Sequence, residues 1–137
     1  MTLLELIQML RAAALAQPTV KLVVDNDMAR LNGIADAEYG VFGYKQNTHS
    51  AVGDWMNYSF TLYYADRLLN DKSNENEILS AGMLTLDNIL LAVEESGVVI
   101  GDAQYTTDIV AYADECAVVA CDVTLSTTRP SLCRDIY

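Results

Sequence analysis

Trp55-Met56-Asn57-Tyr58-Ser59-Phe60-Thr61-Leu62-Tyr63-Tyr64-Ala65-Asp66 decides the fold class of this chain. Met56, Tyr58, Phe60, Leu62 and Tyr64 fall at every second position, with Asn57, Ser59 and Thr61 between them. That is the period of an extended strand with one face on a core and the other on polar surroundings. At about 3.3 Å per residue the run extends roughly 40 Å, long against an ordinary strand. Its end is expected to project past the core, where unpaired backbone groups suit pairing with a neighbouring subunit.

Upstream, Thr2-x-x-Glu5 has the form of a capping box. Leu3, Ile7, Leu10 and Ala14 then recur at spacings of three and four, which predicts a first helix that Pro18 stops near Gln17. Thr19 to Val24 is β-branched and apolar, a strand closed by the turn formers Asp25-Asn26-Asp27. Asn32-Gly33 is expected to be a tight hairpin turn between short strands. Tyr39 to Gln46 is expected to be a bent strand, and the small, polar stretch Asn47 to Gly53 an exposed loop.

Downstream, Leu69 to Ser73 is a polar connector, and Asn74 with Glu77 forms a second candidate capping box. Ile78, Gly82, Leu86, Ile89, Leu90 and Val93 mark one face of a helix of about six turns, with Gly97 as its C-terminal cap. Val98 to Ile109 is a strand broken near Gly101-Asp102, and Glu115 to Thr127 is another, with Ala117, Val119, Cys121, Val123 and Leu125 on one face. The order is helix, strands, long helix, strands. It predicts an α+β fold, a mostly antiparallel sheet with an N-terminal helix and one long helix packed on it. Residues 1–128 are expected to form a single domain and residues 129–137 a C-terminal tail, as the length of 137 residues suggests.

With 52% apolar residues the chain can build a core. Its 19 acidic and 8 basic side chains give a formal charge of −11, which opposes adhesion to the phosphate backbone of nucleic acid. An acidic wall does let a duplex slide past without sticking. No run approaches the roughly 20 consecutive apolar residues of a membrane helix, and the N-terminus lacks a signal peptide's basic start and unbroken apolar run. A cytoplasmic site of synthesis is expected, with no membrane partner. Cys116, Cys121 and Cys133 are then expected to be free thiols, the first two facing opposite sides of one strand.

Residues that could carry chemistry are few. His49 is the one histidine, and as a loop residue beside Ser50 it has no local triad signature. Asp25-x-Asp27 could offer two carboxylates to Mg²⁺ or Ca²⁺, yet no calcium-loop pattern follows, and turn capping explains the pair. Asp114-Glu115 beside Cys116 would raise the thiol pKa and so work against a nucleophile. Gly40-x-x-Gly43 is too short for a phosphate loop and lacks its lysine. The aromatic stripe Trp55, Tyr58, Phe60, Tyr63 and Tyr64 suits packing better than base stacking, since few basic residues flank it. No catalytic, cofactor or metal-binding residue is assigned.

Val52 to Leu62, the helix Asn76 to Glu95 and Tyr112-Ala113-Asp114-Glu115-Cys116-Ala117 give the chain an element order that resembles the tail terminator and head-to-tail connector proteins of tailed bacteriophages. It is also similar to the small ring proteins stacked below the portal in crAss-like phages. The likeness implies a virion protein assembled in the host cytoplasm, a homo-oligomeric ring of six or twelve copies that extends the DNA channel. Its partners would be itself and portal, adaptor or tail proteins, with DNA passing non-specifically and no catalysis. From the residues alone, two other readings stand beside it: an acidic adaptor for a basic protein, and a small enzyme using a metal at Asp25 and Asp27 or the thiol of Cys116.

Overall fold

The structure, a computed structural model, describes residues 1–34 and 37–129. Helix α1 (Leu3–Leu15) begins with the expected capping box: the Glu5 amide donates to Thr2 Oγ1 at 3.2 Å and the Thr2 amide to Glu5 Oε1 at 3.1 Å. Strand β1 (Leu22–Val24), a 3-10 helix (Met28–Gly33), β2 (Val41–Val52), β3 (Trp55–Arg67), helix α2 (Glu75–Glu95), β4 (Val99–Ile100), β5 (Gln104–Ala111) and β6 (Glu115–Thr128) follow. They form an α+β fold around one six-stranded sheet. Its order is β1-β2-β3-β6, with β4 and β5 successive along the far side of β6. Every pairing is antiparallel except that of β1 with β2.

Three sequence expectations give way here. The stretch Asn47 to Gly53 is no loop: β2 continues through it to Val52, and Gly53-Asp54 alone makes the hairpin turn to Trp55. The register shifts between Gln46 and His49, so Asn47 and Thr48 oppose the single residue Ser59. One inserted residue breaks the two-residue alternation, and a bulged polar strand then reads as a loop. Asn32-Gly33 closes the 3-10 helix rather than a hairpin, because the Asp27 carboxylate accepts the Ala29 amide at 2.9 Å and starts a helical turn. Asn74 does not cap α2 with its side chain. Its amide instead bridges the connector, accepting from the Leu69 amide at 2.9 Å and donating to the Arg67 carbonyl at 3.2 Å.

The long strand β3 does not project bare. It pairs with β6 from Trp55↔Thr128 to Arg67↔Cys116 and with β2 from Val52↔Trp55 to Val41↔Ala65, so both its sides are covered up to the hairpin tip. The helices cover one face. Leu6, Leu10 and Ala14 of α1 and Ile78, Leu86, Ile89, Leu90 and Val93 of α2 bury against Phe42, Phe60, Leu62, Tyr64, Val119 and their neighbours. The alternation read in β3 and β6 therefore marks the helix-covered face. On the other face a second cluster forms near the start of β2, where Met28 and Leu31 cover Val41, Ala65, Cys116 and Val118. The 3-10 helix supplies that cover.

Gly82 lets α2 sit this close to the sheet. A Cβ there would lie 2.8 Å from Tyr64 Cδ1 and 2.9 Å from Val119 Cγ2. Gly97 takes a positive φ of 98° just past the C-terminus of α2, and its amide reaches the Glu94 carbonyl at 3.0 Å, the capping role expected of it. By length and composition α2 is apolar enough to cross a membrane, although its stripe from Ile78 to Val93 is spent on the core. Cys133 and the expected tail from Pro130 onward lie outside the described residues.

Candidate functional site

The residues singled out for chemistry are separated and already engaged. His49 stands within β2 rather than in a loop, its ring edge-on to Tyr58 at 5.5 Å and 5.6 Å from Phe60. The Ser59 amide donates to Nδ1 at 3.2 Å, which assigns the proton to Nε2, where Gln46 Oε1 accepts at 3.2 Å. Ser50, the next residue along the strand, points to the opposite face, so no Ser–His dyad forms. Asp25 bonds the Arg11 guanidinium and accepts the Tyr44 hydroxyl at 2.8 Å, while Asp27 caps the 3-10 helix. Among the described residues no three His, Cys, Asp or Glu side chains meet as a metal-ligand set.

Asp25 thus fastens α1 and β2 to the end of β1. Burial pushes its carboxyl up, but the hydrogen bonds from Tyr44 and Arg11 outweigh that and hold it below the usual carboxylate range. A lowered carboxyl stabilises the fold above its unfolded pKa of about 3.9 and loses that contribution as pH falls through the folded value. The pair is open enough to water that its worth is less than about 1 kcal/mol. Urea midpoints between pH 6 and 2 are expected to fall less steeply for Asp25→Asn than for wild type.

Cys116 and Cys121 are buried on opposite faces of β6, as their spacing requires. Burial pushes both thiols up to about 11; a Tyr39 hydrogen bond opposes the shift at Cys116 and the Asp114 charge adds to it. A thiol at about 11 is almost wholly protonated at pH 7, and so inert as a nucleophile. We expect a colorimetric thiol assay to find two thiols per chain withheld at neutral pH and released by denaturant. Prompt reaction of Cys116 in the native protein would restore the thiol-enzyme reading.

The aromatic stripe divides. Tyr58, Phe60 and Tyr64 are buried beneath the helices, Tyr63 packs on the opposite face, and Trp55 is 45% exposed at the hairpin tip beside exposed Val52. Beyond the 3-10 helix the middle of the uncovered face is polar, while its hairpin end carries exposed Val52, Trp55 and Val99. Asn47 Nδ2 donates to Thr61 Oγ1 at 2.9 Å, Thr61 donates to Asp122 Oδ1 at 2.6 Å, and Ser126 donates to Asn57 Oδ1 at 2.6 Å. The shallow cleft at the β5–β6 turn holds paired charges: Arg67 lies 3.8 Å from Asp114, and Lys72 3.1 Å from Glu115. Tyr39 donates to Asp114 at 3.0 Å, and burial first and this bond second push its hydroxyl up to about 12.

What the fold leaves unspent is its two flanks. One consists of α1, β1, the 3-10 helix and β2; the other of α2, β4, β5 and the outer side of β6. Residues 1–53 contain four basic and five acidic side chains, whereas residues 54–128 contain two basic and thirteen acidic ones. Nearly all the net negative charge therefore gathers on the second flank and the central strands. Among the described residues, β2 from Tyr44 to Val52 has a partner strand only on its β3 side, with the Asp25-Asn26 turn touching Tyr44 and Gln46 through side chains, and β5 pairs only with β6. Beside β5, Met83, Leu84 and Leu91 of α2 are exposed, and Leu4 and Leu15 are exposed on α1. Sequence reasoning missed both edges. β2 was hidden by its bulge, though a lone Lys45 in an otherwise apolar run was a signal of an edge.

No family model matches the chain. No curated protein matches it either.

Proposed function

We propose that this chain is a structural subunit that closes with copies of itself into a ring at the head–tail junction of a tailed phage, extending the DNA channel. The observation that carries the reading is the pair of sheet edges that no other described strand covers, on flanks of unequal charge. A surface that differs at its two ends favours head-to-tail contacts over self-complementary ones, and such contacts close into rings when the rotation per subunit allows. The acidic excess suits a channel that passes duplex DNA without holding it. The functional side chains lend support, since His49, Asp25, Asp27 and Cys116 are all engaged in packing or local bonds.

Light scattering coupled to size exclusion, over a concentration series, tests this directly. A discrete hexamer or dodecamer with ring-shaped particles in negative stain is expected. A chain that stays monomeric throughout, and binds no portal-side protein, overturns the proposal. The acidic flank favours one second reading, an adaptor for a basic protein. That reading requires salt-sensitive one-to-one binding in place of a ring.

A further inference from the structure

The ring proposed above needs a specific joint, and we infer that the outer edge of β5 in one copy pairs, antiparallel, with the outer edge of β2 in the next. This rests on the ring reading and names its interface. Strand direction comes first. β2, β3, β6 and β5 each run opposite to their neighbour, so β2 and β5 run opposite ways. A second copy brought alongside without inversion therefore places its β2 antiparallel to β5, and the alternation of the sheet continues across the joint.

Charge selects this pairing over the symmetric ones. Lys45 on β2 and Asp108 on β5 are both exposed, and neither has an ion-pair partner among the described residues. Both stand on the same sheet face: Lys45 opposes Thr61, and Asp108 opposes Val118, whose side chain lies on the face away from the helices. With β5 set just past the β1-covered positions, Ala111 faces Tyr44 and Asp108 faces Asn47, diagonal to Lys45 and within a lysine's reach, so the join brings these opposite charges near each other across the seam. A two-fold pairing of β5 with β5 sets Asp108 near its own copy, and β2 with β2 sets Lys45 near its own, both unfavourable.

The helix layer continues in the same way. Leu4 and Leu15 of α1 share a stripe with Arg11, which reaches Asp25 at the β1 end, so they lie toward the β2 flank. Leu84 of α2, with Met83 and Asp87, borders Tyr105 of β5, and exposed Leu91 follows two turns on along the same side of the helix. An edge join that extends the sheet also brings these two apolar stripes toward each other. Because β1 covers β2 at Val41 to Gly43, the free stretch of β2 lies further along the strand axis than β5 does. Successive copies are therefore staggered, as strands are in a closed barrel.

The joint is tested by reversing its charges. Lys45→Glu and Asp108→Lys, each alone, are expected to raise the concentration at which the oligomer forms about tenfold, and the two combined to restore it. Both positions are exposed, and unchanged thermal melting of the monomeric fraction confirms that each variant folds. As an independent readout, Asn47→Cys with Asp108→Cys in one chain should give, on oxidation, a ladder of cross-linked oligomers. Rings that persist in both single variants and yield no ladder overturn the edge joint while leaving the ring in place. Open fibres with a ladder uphold the joint and overturn closure. A wild-type chain that is monomeric at every concentration overturns self-pairing itself.

Discussion

Gly82→Leu is expected to destabilise the fold by about 3 kcal/mol, the upper part of the range for overpacking. The reason lies in the approach of α2 to the sheet. Even a methyl group at residue 82 meets Tyr64 Cδ1 at 2.8 Å and Val119 Cγ2 at 2.9 Å, closer than real Cβ contacts come. Tyr64 cannot simply swing aside, since it is 3% exposed and its hydroxyl reaches back toward the Thr19 carbonyl. Gly82→Ala separates two opposing effects. Replacing glycine inside a helix gains about 1 kcal/mol of propensity, so a net loss shows the clash to exceed that figure. Equilibrium urea unfolding measures both variants. Neutral behaviour of Gly82→Leu would mean that α2 stands further off the sheet than described.

How much of this could be read from residues alone depended on whether one face of an element was buried. Both helices were legible, α1 from its capping box and three-four stripe, α2 from Ile78 through Val93, because each buries a single face. β3 and β6 were legible for the same reason. β2 was legible only to Gln46. Beyond it the strand covers less core, its two sides carry similar polar residues, and the bulge at Asn47-Thr48 shifts the period. The 3-10 helix was misread because Asn-Gly is a hairpin signal only when strands flank it, and Asp27 upstream starts a helical turn instead.

The candidate site was hidden by a different cause. An open edge is a property of neighbours in space, and the far side of β6 is shared by β4 and β5 in a way no local pattern reveals. Only the division of charge was visible beforehand, with four basic residues in positions 1–53 against two in 54–128. Its meaning waited on the sheet order that puts those two segments on opposite flanks. That exposed Leu84 borders β5 likewise follows only from the sheet order, since no pattern within α2 ties it to Tyr105.

Phe60→Ala is expected to cost about 3–5 kcal/mol, whereas Trp55→Ala, from the same strand, is expected to cost under about 1 kcal/mol. Phe60 is fully buried, lies edge-on to Tyr44 with ring centroids 6.1 Å apart, and supports the His49 ring at 5.6 Å. It pairs with Gln46, the residue at which β2 enters its bulge. Removing the ring leaves a cavity beneath the bulge and loosens the part of β2 that forms the proposed seam. Hydrogen exchange should show lost protection from Gln46 to Val52 before the rest of the sheet. Trp55 is 45% exposed at the turn, so its loss removes little buried surface, and any effect on assembly at constant stability would place the hairpin tip in the interface. Equal costs for the two substitutions would contradict the split of the aromatic stripe between core and surface.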